Sequence, residues 1–260
     1  EDFPDPAKLA AAIRSDDAIR QSRWLEDAEK TNRQPGTLIH YLFNEPETTV
    51  MRNSVPGASS ETNGIVVAGE WVNGRWPGKS ALAFRGPNDR IRLVISKTLP
   101  TLTLASWVRL DTPQNHLVGL LRTDEDRKGT SHWNVDSSGR LRFGILRKNS
   151  SDHPTADDWE VAMSPPLLEK VQGSWTHLAT TYDSTTGKVV HYIDGEAVSS
   201  HIMENPLPVT FGRANICDSS PSGRFIGRMD EFTLYERTLP ATEIRELYQS
   251  HQPSAPLPDR

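Results

Sequence analysis

The chain has 260 residues, a formal net charge of −5, 35% hydrophobic residues, 19 prolines and 17 glycines. That length allows one large β domain or two small ones, and an acidic balance without a basic cluster offers no electrostatic footprint for nucleic acid. No apolar run approaches the ~20 residues of a membrane-spanning helix, and the single cysteine, Cys217, excludes an intrachain disulfide and a multi-thiolate zinc site. No secretion signal precedes Glu1, so the sequence reads as cytoplasmic or as a processed piece of a longer chain. The cysteine count fits the cytosol and bacterial exported proteins alike.

Residues 1–36 differ from everything after them. Ala7 to Arg14 is an alanine-rich run of good helix formers. Ser15-Asp16-Asp17 reads as a break with a new N-cap, and Ala18 to Lys30 continues with Ile19, Trp24 and Leu25 as apolar residues until Gln34-Pro35-Gly36 stops it. Two short helices forming a lead-in are therefore expected.

From Thr37 the pattern turns to β. Strands are expected at 38–43, 65–67, 81–84, 90–95, 102–110, 117–121, 131–136, 140–146, 159–163, 175–182, 188–193, 197–198 and 209–211. Gly74 to Lys79 reads as a turn region, and the 102–110 strand is apolar on both faces, as a strand covered on both sides must be. Asp194-Gly195 is a two-residue hairpin signal. The closing strand, Gly223 to Tyr235, puts Ile226, Asp230, Phe232 and Leu234 on one face and Glu231, Thr233 and Tyr235 on the other if alternation is strict. After Pro240, Ile244, Leu247 and Tyr248 form one helical stripe. The expected fold is all-β: a two-sheet antiparallel jelly-roll sandwich over 37–250, with short N-terminal helices, one C-terminal helix and a disordered tail at 251–260.

Several of these pieces resemble a known pattern. His40-Tyr41-Leu42-Phe43-Asn44-Glu45 looks like an opening strand, and Gly78 to Gly86 follows the form G-x-A-L-x-F-x-G. Leu102 to Arg109 carries a Trp-Val pair, and Trp175-Thr176-His177-Leu178-Ala179, Tyr192-Ile193-Asp194-Gly195 and Gly227-Arg228-Met229-Asp230-Glu231 complete the order. Together they are similar to the laminin-G-like, concanavalin A-like jelly-roll superfamily. The resemblance implies two curved antiparallel sheets, with ligands on the concave face or at the loop rim, in a superfamily that holds lectins, glycosidases and inert spacers. The junction from Ala10 to Ile19, followed by His40 to Phe43, resembles the lead-in of bacterial FecR-type membrane-anchored sensors, which implies an extracytoplasmic setting and an upstream anchor.

Glycoside hydrolysis needs two carboxylates about 5–9.5 Å apart across a cleft. The glucanase string E-x-D-x-x-E is absent, and Glu231 with Glu236, or Glu243 with Glu246, have the wrong spacing or fall on the predicted helix. No enzyme is expected. Asp230, placed among apolar residues, must be hydrogen-bonded, ion-paired or a metal ligand. The resemblance implies calcium held by Asp230 and Asn44, although Asn44 offers an amide where relatives place an acid. His177 and His191 fall on neighbouring strands of one hairpin as a cross-strand pair. Trp133 and Trp159 flank the polar 147–158 loop and are candidates for stacking on a sugar, or plugs for the ends of the sandwich. The expected function is a non-catalytic module binding carbohydrate or a protein partner, the alternative a ligand-free structural spacer.

Overall fold

The computed structural model describes residues 6–45, 48–112, 117–149, 154–168, 172–217 and 225–253, with side chains described from Ser15 onward. Helix α1 runs unbroken over Pro6–Arg33, so the two expected helices are one. Ser15 and Asp16 point to solvent. No Pro or Gly interrupts the chain between Pro6 and Arg33, and nothing forces the backbone out of the helix. Trp24, Ala28 and Thr31 form the buried stripe, whereas Ile19 and Leu25 are exposed.

The strands are β1 (Thr37–Tyr41), β2 (Val50–Met51), β3 (Gly64–Ala68), β4 (Glu70–Asn73), β5 (Ser80–Phe84), β6 (Arg90–Leu99), β7 (Thr101–Leu110), β8 (Val118–Thr123), β9 (Ser131–Val135), β10 (Leu141–Leu146), β11 (Trp159–Met163), β12 (Trp175–Asp183), β13 (Lys188–Ile193), β14 (Glu196–Ile202), β15 (Val209–Ile216) and β16 (Gly227–Tyr235). Helix α2 spans Ala241–Ser250. The first sheet runs β14-β13-β12-β7-β16-β5-β4, with β1 also paired to β16, and the second runs β11-β10-β9-β8-β15-β6-β3-β2. Every strand pair is antiparallel. The two sheets close on one core that includes Leu104, Trp133, Phe143, Leu178, Phe211, Phe232 and Leu234.

The local signals explain the joints. Asp194 and Gly195 adopt φ 50° and 78°, the two positive values that a type I′ turn requires to match strand twist. Strand β7 is buried on both faces, as its composition demanded: Leu102 and Leu104 face the core, while Ala105 packs with Tyr235, Leu239 and Ile244 beneath α2.

Strand β16 departs from strict alternation. Its register with β7 shifts between Asp230 and Phe232, and Glu231 is the extra residue at φ 65°. A one-residue bulge reverses the facing of everything on one side of it. Met229 and Phe232 therefore both enter the core. Asp230 and Glu231 both turn to the outer face of the first sheet, toward α1 and the turn before β5. The expectation that Asp230 shares a face with Phe232 and Leu234 is corrected by that bulge. His251, placed in the expected 251–260 tail, is buried, and its carbonyl accepts from the Arg75 guanidinium at 2.7 Å. Residues 254–260 lie outside the described residues.

Candidate ligand-binding groove

The two carboxylates at the bulge belong to a buried ionic cluster. Asp230 Oδ1 accepts from Lys79 Nζ at 2.5 Å and Oδ2 from Arg75 Nε at 2.9 Å. Glu231 Oε2 accepts from Arg75 at 2.6 Å and from the Trp24 indole of α1 at 3.1 Å, and its Oε1 meets His40 Nε2 at 3.0 Å. Burial alone would raise the Glu231 carboxyl, but the charges of His251 and Arg75 and hydrogen bonds from His251 and His40 outweigh it and hold it well below the usual range. Burial pushes the Lys79 ammonium down, against the pull of Asp230. Arg75 lies between the Trp76 and Trp107 rings, 4.9 Å from each centroid.

This arrangement does not fit calcium. Both Asp230 oxygens are engaged, and Lys79 Nζ occupies the oxygen cage itself, donating also to the carbonyls of Leu42 at 2.7 Å and Ser80 at 2.9 Å. The ammonium supplies the cation that the loop end after β1 would otherwise need. Asn44 lies in this loop, half-buried, and among the described residues the hydrogen bonds of the cage come from Leu42, Phe43, Ser80 and Asp230. The turn read as a mere connection, Gly74 to Lys79, thus delivers both cations.

Other candidates separate as well. Trp133 is fully buried between the sheets, its indole donating to Thr180 Oγ1 at 2.9 Å, and presents no ring face to a ligand. Trp107 is buried beneath α2, stacked on Tyr248 at 5.7 Å, while Trp175 is half-buried. His177 and His191 do not pair. His191 sits opposite Thr180 within the core, and His177 sits opposite Trp107 on the outer face. Glu236 pairs with Lys97 and Glu243 with Arg237.

Trp159 lands differently. It is half-buried and stacks on the His132 ring, with centroids 4.3 Å apart and planes 29° from parallel. Because Trp133 and Val135 point into the core, their alternating neighbours His132 and Asn134 line the opposite face of β9. There they floor a groove of about 420 Å3 with Arg122 of β8, Arg142 and Gly144 of β10, and Trp159 of β11. Gly144 lies opposite both His132 and Val161, and a methyl group there would touch Trp159 and Val161 at 3.4 Å. The missing side chain leaves the space. One wall is the Pro154–Ala156 loop, pinned where Asp158 accepts from the Thr155 amide at 2.9 Å and from Lys148 at 2.6 Å.

The floor is polar and incompletely bonded. Among the described residues, His132 Nε2, Asn134 Oδ1 and Arg142 Nε have no hydrogen-bond partner, although His132 is 9% and Asn134 5% exposed. Burial pushes His132 down to about 3, helped by the Arg122 charge and opposed by a backbone hydrogen bond at Thr123, so its ring is neutral at pH 7. Unpaired buried polar groups are costly, and three on one floor are what a polar ligand would satisfy. Sequence reading named Trp159 but missed His132, Asn134 and Arg142. The signal was in Ser131-His132-Trp133-Asn134-Val135, where two polar side chains flank a core tryptophan at strand spacing.

Similarity to known proteins agrees with this architecture. Residues 87–245 match the family described as the concanavalin A-like lectin/glucanases superfamily. No curated protein matches the chain in sequence. Among solved structures, the binding domain of paraclostridial mosquitocidal protein 1 aligns with a TM-score of 0.62 at 13% identity, over 83% of this chain and 52% of that one. The ligand-binding domain of botulinum neurotoxin serotype D, solved with N-acetylneuraminic acid, gives 0.62 at 10% identity, over 84% and 51%. The binding domain of botulinum neurotoxin DC with rat synaptotagmin II gives 0.59 at 14%, over 84% and 52%. The chain spans about half the length of these neighbours, and at such identities the likeness is one of fold. With more than half its length matched, and with the sandwich those motifs foretold, the chain belongs to the concanavalin A-like lectin/glucanase superfamily.

Proposed function

We propose that the chain is a non-catalytic binding module that holds carbohydrate in the groove over β8–β11. The observation that carries this is the Trp159–His132 stack above a floor whose buried His132, Asn134 and Arg142 atoms lack partners among the described residues. An aromatic face beside convergent polar groups is the usual composition of a small-ligand pocket, and the volume is within the range of such sites. The structural neighbours support the same reading, since the serotype D domain was solved in complex with N-acetylneuraminic acid and cell entry of botulinum neurotoxin type C depends on interaction with two ganglioside molecules. Synaptotagmin, named for another, keeps a protein partner as the second reading.

The lining argues against hydrolysis. Asp126 is its one carboxylate among the described residues, whereas glycosidases need a facing pair, and a histidine held near 3 is too weak a base to work at neutral pH. The reading extends to a setting outside the cytoplasm, and the resemblance of the lead-in to FecR-type sensors supports an anchor upstream of Glu1. Sequencing the gene upstream checks that anchor. A glycan array with the purified protein and with Trp159→Ala tests the binding. Hits lost in the variant support it, and silence across all sugars with capture of a protein ligand would replace it.

A further inference from the structure

The groove's charge narrows its ligand. Its lining carries Arg122, Arg142 and Asp126, with His132 neutral. Arg122 and Asp126 both have interactions of their own. Among the described residues Arg142 has no ion-pair partner, and its Nε has no hydrogen-bond partner. It stands directly across the ladder from Asn134, whose Oδ1 is equally unpartnered. Side chains at such paired positions lie about 5 Å apart at Cβ. The floor thus offers a cationic donor beside a neutral acceptor, next to an aromatic ring.

We infer that the groove selects a carboxylated sugar. The reading rests on the carbohydrate-binding function proposed above and specifies its ligand class. The carboxylate accepts from the Arg142 guanidinium, which suits a two-oxygen anion. A hydroxyl on the neighbouring ring carbon donates to Asn134 Oδ1, and the ring lies against Trp159. A uronic acid has this arrangement, with its acid group and an equatorial or axial hydroxyl on adjacent carbons. A neutral hexose would satisfy Asn134 and leave Arg142 without its counter-charge.

The test uses titration calorimetry of the full chain with trigalacturonate, its methyl ester and neutral galactotriose, and with sialyllactose against lactose. Each is repeated with Arg142→Met and Trp159→Ala, whose melting curves are recorded to confirm folding. A charge-assisted hydrogen bond predicts that the acid binds roughly tenfold or more tightly than its ester. Arg142→Met should erase that ratio, and Trp159→Ala should weaken acid and ester alike while keeping the ratio. The sialyl arm decides whether the carboxylate comes from a uronic or a sialic unit. Equal binding of acid and ester, or a preference that survives Arg142→Met, overturns the inference but leaves carbohydrate binding intact. Absence of binding by every sugar overturns both.

Discussion

Asp230→Asn is the most direct probe of the buried ionic cluster. It preserves shape but removes one of two negative charges set against Arg75 and Lys79, in a cluster where no side chain is more than 7% exposed. Breaking one member of a buried pair leaves its partner desolvated without compensation, which costs about 3–5 kcal/mol. For a domain of this size that lowers Tm by about 6–20 °C. Urea unfolding followed by far-UV circular dichroism reads the loss directly, with the m-value unchanged if the change is in stability alone. The double variant Asp230→Asn, Lys79→Met restores charge balance and should recover at least half of the deficit, because the two residues are coupled. A loss under about 1 kcal/mol, or a double variant no better than the single, would refute the claim that these charges are dry and mutually dependent. Calcium added to the wild-type protein should leave the unfolding curve where it was, since Lys79 already fills the cage.

Three further outcomes follow from single residues. Burial holds His191 down at about 4, so the folded state refuses a proton that the unfolded chain accepts. Its contribution is whole above the ordinary value near 6.5 and falls as pH drops toward 4, at about 1.4 kcal/mol per pH unit. Between pH 4.5 and 6, above the range where Glu231 contributes, His191→Leu should flatten the plot of stability against pH by that slope, and an unchanged slope sinks the assignment. Trp133→Ala should cost about 3–5 kcal/mol as a core truncation, whereas Trp159→Ala should cost under about 1.5, measured by the same unfolding curves. Gly227→Ala should destabilise by about 1–3 kcal/mol, because a Cβ there would collide with the Arg109 backbone carbonyl on the neighbouring strand.

How much was legible follows from the range of each signal. Alternation and turn chemistry are local, so β7, the 188–193 strand, the Asp194-Gly195 turn and the α2 stripe were readable, as was the sandwich they compose. The bulge at Glu231 was not, because nothing in Met229-Asp230-Glu231-Phe232 marks which residue is extra. Only the pairing with Trp107 and Ser106, together with the Ser106 hydroxyl bonded to the Glu231 carbonyl at 2.8 Å, decides it. The same non-locality hid the partners of Asp230, which come from a turn more than 150 positions earlier. Short edge pieces such as β2 and β4 were missed because two to four residues give no period to read. Ser15-Asp16-Asp17 misled for the opposite reason: good capping residues do not end a helix when their side chains can turn to water.

The involvement of α1 and of the Gly74–Lys79 turn in the bulge cluster bears on where this protein can be cut. The family match begins at Pro87 and stops at Arg245. A piece trimmed to those limits keeps both acids of β16 and discards Trp24, His40, Arg75, Lys79 and His251, whose side chains hydrogen-bond or ion-pair with their carboxylates. A piece running from Trp24 through His251, beyond the limits of the family match, keeps these contacts and is expected to unfold at a higher temperature than one cut at Pro87 and Arg245.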